Sequence, residues 1–199
     1  MALCIVKHYS LPPIDKREVL RYAGVRSLIE DSGELYRRLD TVISMVEPII
    51  NPRVCYRELS ISECDFGTSQ DIKKNLRDSH SVILFAATLG IELDRLIFRY
   101  SVLSPVTALL LESLGNERIE ALCDAFNEDM RTVKSLSGES LRPRFSAGYG
   151  DFSIEYQKKL FEILDPPTSI GLTLNDSYLM TPLKSVTALI GVKKIKELQ

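Results

Sequence analysis

Histidine is scarce in this chain of 199 residues, tryptophan is absent, and the four cysteines share no common spacing. His8 and His80 stand far apart in sequence, and each is better explained as a solvated or locally bonded side chain than as a ligand. No Ser-His-Asp hydrolase can be assembled around them, and neither an HExxH pair nor a Walker loop occurs. Cys4, Cys55, Cys64 and Cys123 form no CxxC, so they read as reduced, buried thiols in a cytoplasmic protein. Nothing at the N-terminus reads as a secretory leader. The longest apolar runs, such as Val82–Ala87, are far too short to span a bilayer, so no membrane association is expected. Neither sign of charge dominates, with 25 Lys and Arg against 27 Asp and Glu, and no nucleic-acid partner is expected. No GxGxxG follows a strand, which argues against a Rossmann-type site.

What is present is a hydrophobic content of 45%, enough in a chain of this length for one well-buried core. One stretch concentrates the chemistry: Arg142-Pro143-Arg144-Phe145-Ser146-Ala147-Gly148-Tyr149-Gly150-Asp151. Gly148 and Gly150 permit a positive φ and a close approach of a ligand to the main chain. Arg144 offers a planar fork of donors suited to a carboxylate or phosphate, and Tyr149 a flat π face. The competing reading is an ordinary surface turn with a solvated arginine. Carboxylates are also plentiful over Glu117–Asp129, where an acidic helix face reads as solvated surface.

Local signals divide the chain into elements. Asp15 and Glu18 form a capping-box pattern, opening a helix that ends near Gly24. Ser32 is placed to cap a second helix, stopped by Pro48. Val54, Tyr56, Leu59 and Ile61 suggest a strand, and Ser69–Arg77 reads as a short helix. Ser81–Ala87 reads as a buried strand, turned by Thr88-Leu89-Gly90 into another helix. Ser104-Pro105 starts a long helix with a break expected near Gly115 and an end at Ser137-Gly138. Ser153 is expected to cap a helix through Leu164, terminated by Asp165-Pro166-Pro167. Ile170–Leu174, Tyr178–Met180 and Ser185–Val192 read as strands. Tight connections between short strands favour antiparallel pairing. The expected fold class is α+β: a single domain over residues 1–199, with a mainly antiparallel twisted sheet flanked by helices. Residues 1–50 form its N-terminal helical part and residues 51–199 its α+β core. Residue chemistry alone leads as far as a domain that binds a small molecule or an anion, with no catalytic residue and no metal ligand.

The block Arg144-Phe145-Ser146-Ala147-Gly148-Tyr149 resembles the Arg-x-x-x-Gly-Tyr motif of the activation domain of cobalamin-dependent methionine synthase. Three further stretches are similar to that family in the same order. These are Phe85–Gly90 at a strand-to-helix turn, Ile119-Glu120-Ala121-Leu122 on an acidic helix, and Leu174–Pro182 followed by Ser185-Val186. The resemblance covers about residues 80–192. It implies a domain that binds S-adenosylmethionine. Arg144 would pair with the ligand carboxylate, Ser146 and Gly148 would offer backbone groups, and Tyr149 its ring near the sulfonium. Glu120 would face a positive or polar part of the ligand, or stand solvated. Arg142 is as readily structural as functional, and Phe145, Tyr178 and Met180 read as core.

The chain has no Asp-x-His-x-x-Gly, by which the family's cobalamin module supplies a histidine to cobalt. The resemblance therefore implies that cobalamin arrives on a partner. The chain would be a free-standing accessory subunit, a component of methionine synthase and not a complete enzyme. It would serve the reductive methylation that reactivates cob(II)alamin, with an electron from a flavodoxin-like or ferredoxin-like donor. Two other readings stand beside it: a non-catalytic adaptor or reactivation factor for another corrinoid methyltransferase, and a plain anion-binding domain.

Overall fold

In a computed structural model, which describes residues 4–25 and 32–195, five strands form one antiparallel sheet. They are β1 (Ile5–His8), β2 (Arg53–Ser60), β3 (Ser81–Thr88), β4 (Glu139–Leu141) and β7 (Ser185–Lys194), in the order β1-β2-β3-β7-β4. A separate two-stranded hairpin joins β5 (Thr173–Leu174) to β6 (Met180–Thr181).

The organising strand is β3. All eight of its residues are buried, and the two-residue period of a strand sends them alternately into two cores. Ile83, Phe85 and Ala87 join one cluster, and Val82, Leu84 and Ala86 the other. Four helices supply the first cluster: α1 (Lys16–Tyr22), α2 (Ser32–Val46), α4 (Ile91–Leu103) and α5 (Pro105–Ser135). Beneath the second face lie α3 (Gln70–Asn75), α6 (Tyr156–Leu164) and α7 (Pro166–Ile170). The result is the α+β domain expected, a sheet covered on both faces.

Local capping explains most boundaries. The Asp15 carboxylate accepts from the N–H groups of Arg17 and Glu18 at 2.9 and 3.2 Å, and Gly24 follows α1 at φ 78°. Ser104 Oγ accepts from Thr107 N–H while Pro105 takes the first helical position of α5.

The differences from sequence-based expectation have physical causes. The segment before residue 50 is not purely helical, because β1 pairs along β2 from Ile5↔Tyr56 to His8↔Arg53. Its four residues at a sheet edge carry too little hydrophobic alternation to be read. The three-residue β4 escaped notice for the same reason. No break occurs at Gly115, and α5 runs 31 residues, about 46 Å. A Cβ there would lie 2.9 Å from Lys184 Cε and 3.0 Å from Leu93 Cδ2, so the glycine serves close packing. Ser32 is the first residue of α2, and α6 starts at Tyr156, later than Ser153 suggested. Asp165 ends α6 at φ 45° but leads directly into α7, with Pro166 inside its first turn. The strand expected over Ile170–Leu174 shrinks to two residues, because α7 takes Ile170.

The acidic run on α5 is not simply solvated. Asp129 accepts from Lys7 Nζ and Tyr9 Oη at 2.7 Å each. Glu117 is buried against Arg118, whose guanidinium also donates to the Pro12 carbonyl at 2.7 Å. These contacts fasten the N-terminal segment along α5.

Candidate functional site

The loop 142–151 begins as an extension of the sheet edge. Arg142 N–H donates to the Gly191 carbonyl at 2.8 Å, and Phe145 exchanges two 2.9 Å hydrogen bonds with Leu189. After Phe145 the loop leaves β7. The alternation of an antiparallel ladder aims the backbone N–H and C=O of Thr187 the same way as those of Leu189, toward this edge.

Both flanks of the loop grip one short helix. The Arg142 guanidinium donates to the carbonyls of Asn75 and Lys74, at 2.7 and 3.3 Å, at the C-terminal end of α3. The Asp151 carboxylate accepts from Gln70 N–H at 2.7 Å, Asp71 N–H at 3.1 Å and the Ser69 hydroxyl at its N-terminal end. Asp71 returns the contact, accepting from Asp151 N–H at 3.1 Å. A cation thus meets the negative end of α3 and an anion its positive end. The Ser69 hydroxyl, followed by the Gln70 N–H, holds the Asp151 carboxyl below its ordinary value. Arg142 and Asp151 are therefore structural. Gly150, at φ 55°, is required by this arrangement: a Cβ would lie 2.0 Å from Asp71 Oδ2.

Between the loop and the open end of β7 lies a cleft of about 470 Å³. Four of the five residues expected at the site line it: Glu120, Arg144, Ser146 and Tyr149. The fifth, Gly148, shapes the loop from behind. It sits at φ 93°, donates its N–H to the Phe152 carbonyl at 2.8 Å, and leaves only 3.0 Å between a notional Cβ and Ile154 Cδ1. Tyr149, at 68% exposure, offers its ring to solvent at the rim. Phe145 and Met180, expected as core, pack against the second cluster and also line the cleft. Tyr178 lies on the β5–β6 turn at φ 62°, with Lys158 Nζ 5.0 Å from its ring centroid.

Arg144 Nη2 donates to Glu120 Oε2 at 2.6 Å, and Asp124 Oδ1 lies 3.6 Å from Nη1. Glu120 thus faces the arginine. Burial opposes the charge on Arg144, but the neighbouring Cys123, Glu120 and Asp124 outweigh it, and the guanidinium is held above its ordinary value. Burial pushes the Cys123 thiol up to about 12. Nη1 of Arg144 is buried and makes no hydrogen bond, and Asp124 is its ion-pair partner.

Sequence reasoning missed Gln157 and Thr187. Both line the cleft, and both carry a buried oxygen without a hydrogen-bond partner. The signal lay in the pattern: Gln157 shares the buried stripe of α6 with Leu160 and Leu164, where an apolar residue is the rule. Among the described residues, no group of three or more His, Cys, Asp and Glu is placed to hold a metal ion, and no helix is long and apolar enough to cross a membrane.

No family model matches the chain, and no curated protein is similar to it in sequence. A solved structure does match: a crystal structure of the MetH reactivation domain bound to AdoHcy, with a TM-score of 0.63 and 14% identity. The similarity covers 98% of this chain and 80% of that one, and it establishes a shared fold.

Proposed function

We propose that the cleft binds S-adenosylmethionine and that the chain serves in reactivating a corrinoid enzyme. The observation that carries this reading is Arg144. It lies in a cleft between the open end of β7 and the Tyr149 loop, oriented by Glu120 and Asp124, in a fold shared with a domain crystallised with AdoHcy. The cleft volume falls within the usual range for small-ligand sites.

Arg144 would pair with the ligand carboxylate, with Glu120 and Asp124 keeping the guanidinium oriented. Tyr149 would lie against the ligand at the rim, Ser146 would offer backbone groups, and Phe145 and Met180 would exclude water from one wall. The bound cofactor would supply an electrophilic methyl group. The chain's own contribution is positioning, which converts an encounter into a near-unimolecular step. Methyl transfer from a sulfonium moves no proton, so the reading needs no general base. Cobalamin would arrive on a separate methionine synthase subunit, and the electron from a flavodoxin-like or ferredoxin-like donor. A reactivation factor for a different corrinoid methyltransferase is the second reading, favoured by the same cleft and fold.

Calorimetry with S-adenosylmethionine tests the site. A charge-assisted hydrogen bond contributes about 1.5–3 kcal/mol, so Arg144→Ala should weaken binding roughly 10- to 150-fold. Undiminished binding in that variant would refute the assignment. Mixing the chain with oxidised corrinoid proteins, a reductant and methyl-labelled S-adenosylmethionine separates the two readings by which corrinoid acquires label.

A further inference from the structure

Two buried polar side chains in this cleft have no structural explanation. Gln157 is 6% exposed and Thr187 3%, yet Gln157 Oε1 and Thr187 Oγ1 make no hydrogen bond. Each occupies a position that the pattern reserves for an apolar side chain. Gln157 lies one helical turn before Leu160, and Thr187 is two residues from Leu189 on the same face of β7, above the second cluster. Burying an amide or hydroxyl without a partner destabilises the free protein, and native structures rarely keep such groups without a reason. Here the two residues that carry them line one cavity, from different elements.

The chemistry of the pair narrows what it would meet. Gln157 Oε1 can only accept, whereas Thr187 Oγ1 can donate or accept. Neither is charged, and the one carboxylate lining the cleft, Glu120, is engaged by Arg144. A cation would find no unpaired anion at this end. Phe145, Ala147, Met180 and Val186 supply apolar walls suited to a flat ring. An acceptor and a donor lining one cleft with apolar walls match the edge of a 6-aminopurine, whose exocyclic amine donates and whose ring nitrogen accepts.

We infer that Gln157 and Thr187 read the adenine edge of the ligand, and that Gln157 is the specificity-determining residue that discriminates a 6-amino from a 6-oxo purine. This inference rests on the adenosyl ligand proposed above. The 6-oxo base presents an acceptor where Gln157 requires a donor, and a donor where the ring nitrogen accepted.

The test compares S-adenosylhomocysteine with its deaminated form, S-inosylhomocysteine, by calorimetry on the whole chain. The wild type should prefer the adenosyl form by about tenfold or more, the value of one lost hydrogen bond to a buried group. Gln157→Leu should bring that ratio near one, while Thr187→Val, which removes a group able to donate or accept, should weaken both compounds alike. Both variants should melt higher than wild type without ligand, by about 2–4 °C, because each removes a polar atom that the free protein leaves unpaired. That readout also shows that the variants fold. No binding of either compound to the wild type would overturn the proposed ligand itself. Binding with an adenosyl preference that Gln157→Leu retains would overturn this inference and leave the ligand standing. Variants that melt lower than wild type would also overturn it, since the two groups would then be packing residues.

Discussion

Replacing Arg118 by methionine tests how the N-terminal segment is held against the helix that carries Glu120. In the native protein the Arg118 and Glu117 side chains are only 4% and 7% exposed and paired with each other. The guanidinium also donates to Pro12 O at 2.7 Å and Pro13 O at 3.5 Å, while Glu117 Oε1 accepts from Asp15 N–H at 3.1 Å. Methionine approximates the volume of the arginine stem but leaves the Glu117 carboxylate buried without its counter-charge. Pro12 and Pro13 are exposed, so water replaces the guanidinium at their carbonyls and the carboxylate dominates the cost. Breaking one partner of a buried pair costs about 3–5 kcal/mol. For a domain of this size each kcal/mol lowers the melting temperature by about 2–4 °C, so Arg118→Met should melt roughly 6–20 °C below wild type. Thermal unfolding followed by circular dichroism measures this. The decisive comparison is Glu117→Leu/Arg118→Met, which removes both charges and should recover most of the loss. A single variant within about 1 kcal/mol of wild type, or a double variant no better than the single, would show that the pair is solvated and the reasoning wrong.

Asp151 gives a pH-dependent prediction. Its folded carboxyl is held below the ordinary value of 3.8, so its stabilisation is complete above that value and lost as pH falls through the lower folded value. Asp151→Asn should therefore lower the urea midpoint at pH 7, and the gap to wild type should close as pH falls below the ordinary carboxyl value; a gap independent of pH would argue against the ionised cap. Gly150→Ala should disrupt the same contact, since its Cβ would lie 2.0 Å from Asp71 Oδ2 on a backbone at φ 55°. Proteolytic nicking between residues 142 and 151 should rise several-fold, and an unchanged rate would show that Asp71 can move aside.

Much of this protein was legible before its structure, because the signals are local. Asp15, Ser69 and Ser104 announce helix starts through donors two or three residues away, and the Val82–Ala87 run announces a buried strand. The Arg144–Tyr149 block marked the cleft because its residues are consecutive. Gly115 misled, since a glycine within a helix can signal a break or a close contact, and only Leu93 and Lys184 decide which. Arg142 and Asp151 could not be assigned, because their partners at the two ends of α3 lie about seventy to eighty positions upstream.

The amino-acid pattern by itself determined the succession of elements, the two-faced burial of β3 and the loop that bears the arginine. Tertiary structure alone decided that Glu120 engages Arg144, that Gly148 lies behind the cleft, and that Gln157 and Thr187 line it, each with an unpaired oxygen. The physical reason is distance along the chain. Caps and periodicity act within a turn or two, whereas the cleft is closed by antiparallel register and helix packing, which bring residues 120, 144, 157 and 187 to one place.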